Sequence, residues 1–302
     1  MQLLLYILVY PFIWLISILP FRLLYFLSDV LYLFIYRIFG YRKKVVKSNL
    51  KLVFPEKSNK EISRIMSKFY HHLCDMILES LKSLTVKEKD IKERYKFTNI
   101  ELIKDLEQKQ KSIMLMCAHY GSWEWIFILQ RYVNHRGYAV YKRLANKYFD
   151  KLVKKIRAKY DTQLVTTKET FKVLKERKDA GELTINGFVS DQSPKANKAL
   201  HWAKFMGITV PMYTGAETLA KQLDMVVVFF SVERIKRGFY EVTFETIAED
   251  PREFENYDIT DKFFRLVEEQ IYKAPEYYLW THKRWKHRDK VPEAYLGKTK
   301  ED

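Results

Sequence analysis

With 302 residues and only two cysteines, the chain has room for one catalytic domain plus an anchor, and it lacks the cysteines for a disulfide framework, which fits a reducing compartment. Its 53 Lys and Arg against 37 Asp and Glu leave a formal net charge of +16, which asks for an anionic partner. No zinc finger, RNA-binding signature or isolated basic helix is present, so nucleic acid is set aside in favour of anionic membrane lipids, a phosphorylated lipid or an acidic carrier protein.

Residues 1–39 are almost wholly apolar, and Met1 to Phe21 carries no charged side chain. The segment has neither the basic start nor the small-residue cleavage site of a signal peptide, so it is expected to remain in the mature protein. One straight helix over all of it would be ~58 Å long, against a hydrocarbon core of ~30 Å. Pro20 is the expected break. The first piece, Leu3 to Leu19, is long enough to span or insert deeply. The second carries Arg22, Asp29 and Arg37 at helical spacing, as in a helix lying in the interface. Arg42, Lys43, Lys44 and Lys47 follow at once, and the positive-inside rule then puts the remainder on the cytoplasmic side of the inner membrane. The expected division is residues 1–40 as anchor and 41–302 as a cytoplasmic domain.

Asn59 to Leu84 reads as helical, with His71, His72, Cys74 and Asp75 as polar residues of its outer face; no second pair at ligand spacing supports a metal site. Lys87 to Lys96 reads as a charged connector. From Ser112 onward, apolar runs at 112–118, 138–142, 183–189, 225–232 and 239–246 alternate with helical stretches at 124–133, 148–159, 170–178, 214–223 and about 260–273. That alternation predicts an α/β fold, a sheet covered by helices. Neither a dinucleotide fingerprint nor a P-loop is present.

Chemistry concentrates at Ala118-His119-Tyr120-Gly121-Ser122-Trp123-Glu124-Trp125. His119 should leave the end of the 112–118 strand, with Glu124 in the first turn of a helix capped by Ser122. A carboxylate that holds an imidazole fixes its tautomer and raises its basicity, which suits a general base acting on a hydroxyl. Cys117 is the rival nucleophile, two residues earlier on the same side of the strand, though a buried strand cysteine is commoner. Arg157 closes a very basic helix with Lys147, Lys151, Lys154, Lys155 and Lys159, and a guanidinium suits phosphate through two parallel hydrogen bonds. Arg143, at a strand end, is a weaker candidate for the same task. Asp191-Gln192 follows the 183–189 strand, at the end where α/β folds place ligands; Asp191 could position Arg157 or the acceptor. Trp280, His282, Arg284 and Trp285 combine aromatic and basic groups and fit interfacial anchoring as well as substrate contact.

His119 and Glu124 resemble the His-x4-Asp/Glu signature of the glycerolipid acyltransferase superfamily, and within it the chain resembles the lipid A biosynthesis (late) acyltransferases. Further blocks, in the family's order, carry the resemblance: Tyr141-Lys142-Arg143, Asn146 to Asp150 closing on Arg157, Asp191-Gln192, Phe205-Met206-Gly207, and Pro275 to Trp285 with its Trp-x-His-x-Arg core. Leu144 and Lys283 depart from the family's usual proline and arginine. The resemblance implies a central mixed sheet flanked by helices, like that of glycerol-3-phosphate acyltransferase, behind an N-terminal apolar helical membrane anchor. It implies His119 and Glu124 as the catalytic dyad, with Arg157, Asp191, Arg143 and Gln192 binding substrate. It also implies direct transfer of a fatty acyl chain from acyl carrier protein to a hydroxyl of a lipid A precursor, without metal or diffusible cofactor. The same chemistry on a glycerophospholipid, phosphatidylinositol mannoside or aminolipid is the alternative, and a non-catalytic basic lipid-binding protein is the reading from another class.

Overall fold

The computed structural model describes residues 1–295. The N-terminal part is helical: α1 (Gln2–Ile18), α2 (Phe21–Tyr32) continued by a π-helical turn to Ile38, α3 (Lys43–Val53) and α4 (Asn59–Lys82). The break between α1 and α2 falls at Pro20, as the sequence predicts. Among the described residues no single helix is long and apolar enough to cross a membrane, although Phe21–Ile38 and Lys43–Val53 together form a pair bent by 84°. A capping box starts α4: Ser58 Oγ accepts from the Glu61 N–H at 3.3 Å, and the Glu61 carboxylate accepts from the Ser58 N–H at 2.8 Å. Its polar residues do not form an outer face. His72 and Asp75 are buried, and Asp75 takes Arg234 and Arg237 as ion-pair partners while accepting from the Ser28 hydroxyl. The reason is packing on two sides: α2 lies along α4 at Asp75, and the Tyr277 ring stands edge-on to the His72 ring at 4.9 Å.

The rest of the chain supplies α5 (Glu88–Arg94), β1 (Tyr95–Phe97), α6 (Glu101–Gln108), β2 (Ile113–Cys117), a 3-10 helix (Trp123–Arg131), β3 (Arg136–Tyr141), α7 (Lys147–Arg157), β4 (Gln163–Thr166), α8 (Thr170–Asp179), β5 (Thr184–Val189), β6 (His201–Phe205), β7 (Ile208–Met212), α9 (Gly215–Leu223), β8 (Val226–Lys236), β9 (Phe239–Ala248) and α10 (Asp258–Lys273). Seven strands make one mixed sheet in the order β1-β9-β8-β2-β5-β3-β4. The strands from β8 to β4 run parallel, β9 turns back antiparallel on β8, and β1 adds the edge parallel to β9. All five residues of β2 are buried, which fits an apolar strand at the centre of a sheet covered on both faces. Alternation along β2 and β8 divides the core in two. Met114, Met116, Val227 and Phe229 pack with α4, α9 and α10. Ile113, Leu115, Cys117, Val228 and Phe230 pack with α5, α6 and the 3-10 helix.

The α/β class and the mixed sheet agree with the sequence reading; several details do not. Lys87 to Lys96 is not a connector: it forms α5 and enters β1, pinned by the buried Ile91 and Tyr95. The stretch after Ser122 is helical as expected and winds as a 3-10 helix, but without the expected Ser122 side-chain cap. The β6–β7 hairpin closes on Met206 and Gly207, both with positive φ (53° and 77°), as a tight hairpin turn requires.

Candidate active site

In the parallel pair β2–β5, Cys117 stands opposite Val189 at the C-terminal ends of both strands. The residues two positions further on each chain, His119 and Asp191, therefore arrive side by side. Asp191 Oδ1 accepts from the His119 backbone N–H at 3.2 Å and lies 2.6 Å from the ring Nδ1. Asp191 is buried, 1% exposed. Burial alone would push its carboxyl up, but the His119 charge and hydrogen bonds outweigh this and hold it below its ordinary 3.8. An ionised carboxylate only accepts, so the proton of this contact sits on Nδ1, and in the neutral ring Nε2 carries the lone pair. The Gln192 side-chain amide sits 3.2 Å from that Nε2.

Glu124 does not hold His119. It lies on the 3-10 helix and receives Arg157 by two guanidinium nitrogens, Nε at 3.1 Å and Nη2 in a shorter contact. Arg157 is the last residue of α7, a helix started by Asn146, whose side-chain oxygen accepts from the backbone N–H of Tyr148 at 3.0 Å. Glu124, expected on His119, thus takes Arg157, and Asp191, read as a partner for Arg157 or for the acceptor, takes His119. The cause is strand order: β5 lies against β2, so the buried carboxylate nearest His119 comes from the neighbouring strand, not from the same turn.

The turn itself is held from behind. Gly121 has φ +59°, and a Cβ there would approach Val232 Cγ1 to 2.9 Å, so glycine is required. Ser122 makes no side-chain cap; its hydroxyl donates to the buried Glu79 of α4 at 3.4 Å. Glu79 also accepts from Tyr25 of α2 at 2.8 Å and from Tyr240 of β9 at 3.0 Å, and burial, with Asp75 nearby, pushes its carboxyl up to about 7.

The C-terminal segment completes the frame. The Leu279 N–H donates to the His119 carbonyl and the Gly121 N–H to that of Tyr277, both at 3.1 Å. The Ser193 N–H donates to His282 Nε2 at 3.3 Å, which ties down the Asp191 loop; burial drives the His282 ring down to about 4, so it is a neutral acceptor. Trp280, Arg284 and Trp285 are at most 1% exposed. These residues are interior supports of the two site loops, so interfacial anchoring does not apply to them; the aromatic and basic pattern alone could not distinguish the two settings.

His119, Glu124, Arg157 and Gln192 line one cavity of about 810 Å³, whose wall continues with Leu115, Cys117, Phe127, Ile185 and Phe230 and the small residues Gly137, Ala139 and Gly187. The site is a set of polar groups at an otherwise apolar cavity of a size that holds small-molecule or chain ligands.

A family model described as bacterial lipid A biosynthesis acyltransferase matches residues 1–287. The chain belongs to that family. It is also similar to the lipid A biosynthesis lauroyltransferase of Escherichia coli (strain K12), at 24% identity over 295 residues that cover 94% of this chain and 92% of that protein. The protein is therefore an acyltransferase of lipid A biosynthesis.

Of the remaining candidates of this acyltransferase, Arg143 falls differently from the sequence reading and Cys117 agrees with it. Arg143 is exposed and outside the cavity wall, where its neighbour Lys142 stands instead. Cys117 does line the cavity, but burial, with Asp191 and Glu124 nearby, pushes its thiol well above its ordinary range. A thiol kept protonated is a poor nucleophile. Cys117→Ala should keep turnover within about threefold of wild type, since it removes only a small buried group. Mass spectrometry of enzyme quenched during turnover should show no acyl adduct on Cys117.

Proposed function

We propose that this acyltransferase transfers a fatty acyl chain from the thioester of acyl carrier protein to a hydroxyl of a lipid A precursor. The reading places it at the cytoplasmic face of the inner membrane, with residues 1–40 as anchor, 41–302 as the catalytic domain and anionic lipids beneath its basic surface. The observation that carries the chemistry is His119 in the wall of the apolar cavity, with Nδ1 held by the buried Asp191 and Nε2 met, among the described residues, by the Gln192 amide alone.

In this mechanism His119 Nε2 takes the proton of the acceptor hydroxyl as its oxygen attacks the thioester carbonyl carbon. The new C–O bond forms, the carbonyl becomes an oxyanion, and its collapse breaks the C–S bond. The carrier's sulfur leaves and takes the proton back from the imidazolium. Asp191 stabilises that imidazolium without accepting its proton. Gln192, now on Nε2, marks the place the hydroxyl would take. Arg157, oriented by Glu124, supplies positive charge for the oxyanion or for an acceptor phosphate. The apolar wall takes the acyl chain.

The test is twofold. Lipid A from cells with and without the protein should differ by one acyl chain in mass spectrometry. Purified enzyme should acylate a lipid A precursor with acyl carrier protein thioester as donor. Unchanged lipid A together with acylation of a glycerophospholipid in the same extracts would shift the acceptor while leaving the chemistry in place. No acylated lipid of any class would leave the non-catalytic reading.

A further inference from the structure

The most apolar helix of the molecule is fastened to the catalytic domain at both ends. At the N-terminal end of α1, the Gln2 amide donates to the Ala145 carbonyl at 3.3 Å, the Gln2 carbonyl accepts from Asn146 at 3.2 Å, and Gln2 Oε1 accepts from the Lys147 N–H at 3.4 Å. One turn on, the Tyr6 ring packs on Tyr148 and Phe149 of α7, with centroids 5.7 and 5.4 Å apart. At the C-terminal end, Lys82 Nζ donates to the carbonyls of Ser17 and Leu19 at 2.8 and 2.7 Å, and the Thr85 hydroxyl also donates to Ser17.

Between these ties the outer face is bare. Leu4, Leu8, Leu15 and Ile18, which share one side of the helix, are 45–61% exposed. The surface continues through Leu23 and Phe26 of α2 to Phe34, Ile38 and Phe39. Exposed cations follow in the chain, Arg22, Arg37, Arg42, Lys44 and Lys47, and no charged side chain occurs from Met1 to Phe21. A long apolar face joined to a run of exposed cations matches a leaflet with anionic headgroups, where apolar side chains enter the acyl region and basic ones meet phosphate.

We infer that α1 lies in the plane of one leaflet, with both ends on the catalytic domain's side of the membrane, and does not cross the bilayer. A 17-residue helix is ~26 Å long and would have to stand nearly upright to bridge a ~30 Å hydrocarbon core. Standing upright would carry Gln2 and Tyr6 away from α7 and undo every contact at that end. The flat arrangement has a consequence for substrate entry. The first turn of α1 packs on the first turn of α7, the helix that ends at the site's Arg157, and a lipid acceptor held in the same leaflet would reach the cavity by moving sideways. That consequence rests on the acyl transfer proposed above; the placement of α1 does not.

The experiment uses the full-length protein in vesicles of phosphatidylethanolamine and phosphatidylglycerol. Nitroxide labels go on Leu4→Cys, Leu8→Cys and Leu15→Cys in turn; native Cys74 and Cys117 are buried. Relaxation by oxygen against a water-soluble nickel chelate reads label depth. The expected result is three similar, shallow depths. A gradient that passes from one headgroup region through the bilayer centre toward the other would overturn the inference, as would labels shielded from both relaxants because a second copy of the chain covers the face. In spheroplasts, a cysteine in a short extension before Met1 and one at Ser48→Cys should both resist an impermeant maleimide and both react after permeabilisation. Reaction of the N-terminal cysteine alone from outside would mean that α1 spans. Acyl transfer by the same variants is assayed in parallel, so a failed topology and a failed chemistry are told apart.

Discussion

Asp191→Asn is expected to lower turnover of acyl transfer by about 10³- to 10⁴-fold, close to the loss from His119→Ala. Asp191 accepts from two donors of His119, the backbone N–H and the ring Nδ1. An asparagine amide turned to donate to Nδ1 would force the ring proton onto Nε2, and the base would then face the acceptor hydroxyl without a lone pair. The double variant should be little worse than either single one, because the two residues act as a unit. Glu124→Gln should cost far less, about 10- to 100-fold, since it weakens a charge-assisted pair to Arg157 but leaves His119 untouched. Initial rates with acyl carrier protein thioester and lipid A precursor decide the matter. A Glu124→Gln loss as deep as that of Asp191→Asn would return the role of histidine partner to Glu124. The same substitution carries a stability signature. Asp191's folded pKa lies below its ordinary 3.8, so its contribution to stability is complete above that value and is lost as pH falls through the folded one. In Asp191→Asn the acid arm of the stability curve should therefore be shallower.

Arg157→Lys should cut turnover about 100-fold at every salt concentration. Lysine keeps the charge but cannot present both Nε and Nη2 to Glu124, so the cation would lose its fixed direction. The pair is partly buried, with side chains 26% and 19% exposed, and is screened less than a surface charge. The other cations of α7 differ: Lys151 and Lys155 are exposed, and Lys154 faces Asp150 at 3.6 Å with its side chain 41% exposed. Neutralising these three together should weaken association with the membrane or the carrier protein, and the defect should shrink as salt rises toward a Debye length of ~3 Å at 1 M. A salt series of initial rates on both variants separates the effects. Wild-type behaviour of Arg157→Lys, or a salt-independent loss in the triple lysine variant, would break the proposed division between a directed cation and a diffuse field.

Strands and helices with a clear apolar period were legible in the chain: the 112–118 run became β2, the 183–189 run β5, and Pro20 parted α1 from α2. Short or edge elements were not. β1 has three residues and β4 four, too few for any period to register, and β1 owes its place to pairing with β9 more than 140 residues later. The buried face of α4 was hidden for a related reason. His72 and Asp75 look like part of an exposed polar face until α2 and the end of β8 with its turn bring Ser28, Arg234 and Arg237 against Asp75 and Tyr277 closes on His72. His282, Arg284 and Trp280 were singled out by residue type, but that they brace the site loops from inside could only be seen once those loops were in place.

By itself the sequence determined which residues stand at strand and helix ends: His119 just past β2, Asp191-Gln192 just past β5, Arg157 at the close of α7. Such positions follow from local patterns of burial and capping, which a chain carries in its own order of residues. Which of these residues touch was decided only by the tertiary structure. His119 and Asp191 are 72 positions apart and meet because β5 is laid beside β2 in a register that pairs Cys117 with Val189. Glu124, five residues from His119, turns instead to Arg157, 33 positions away. Parallel pairing is made by contacts between distant segments, and no local spacing encodes it.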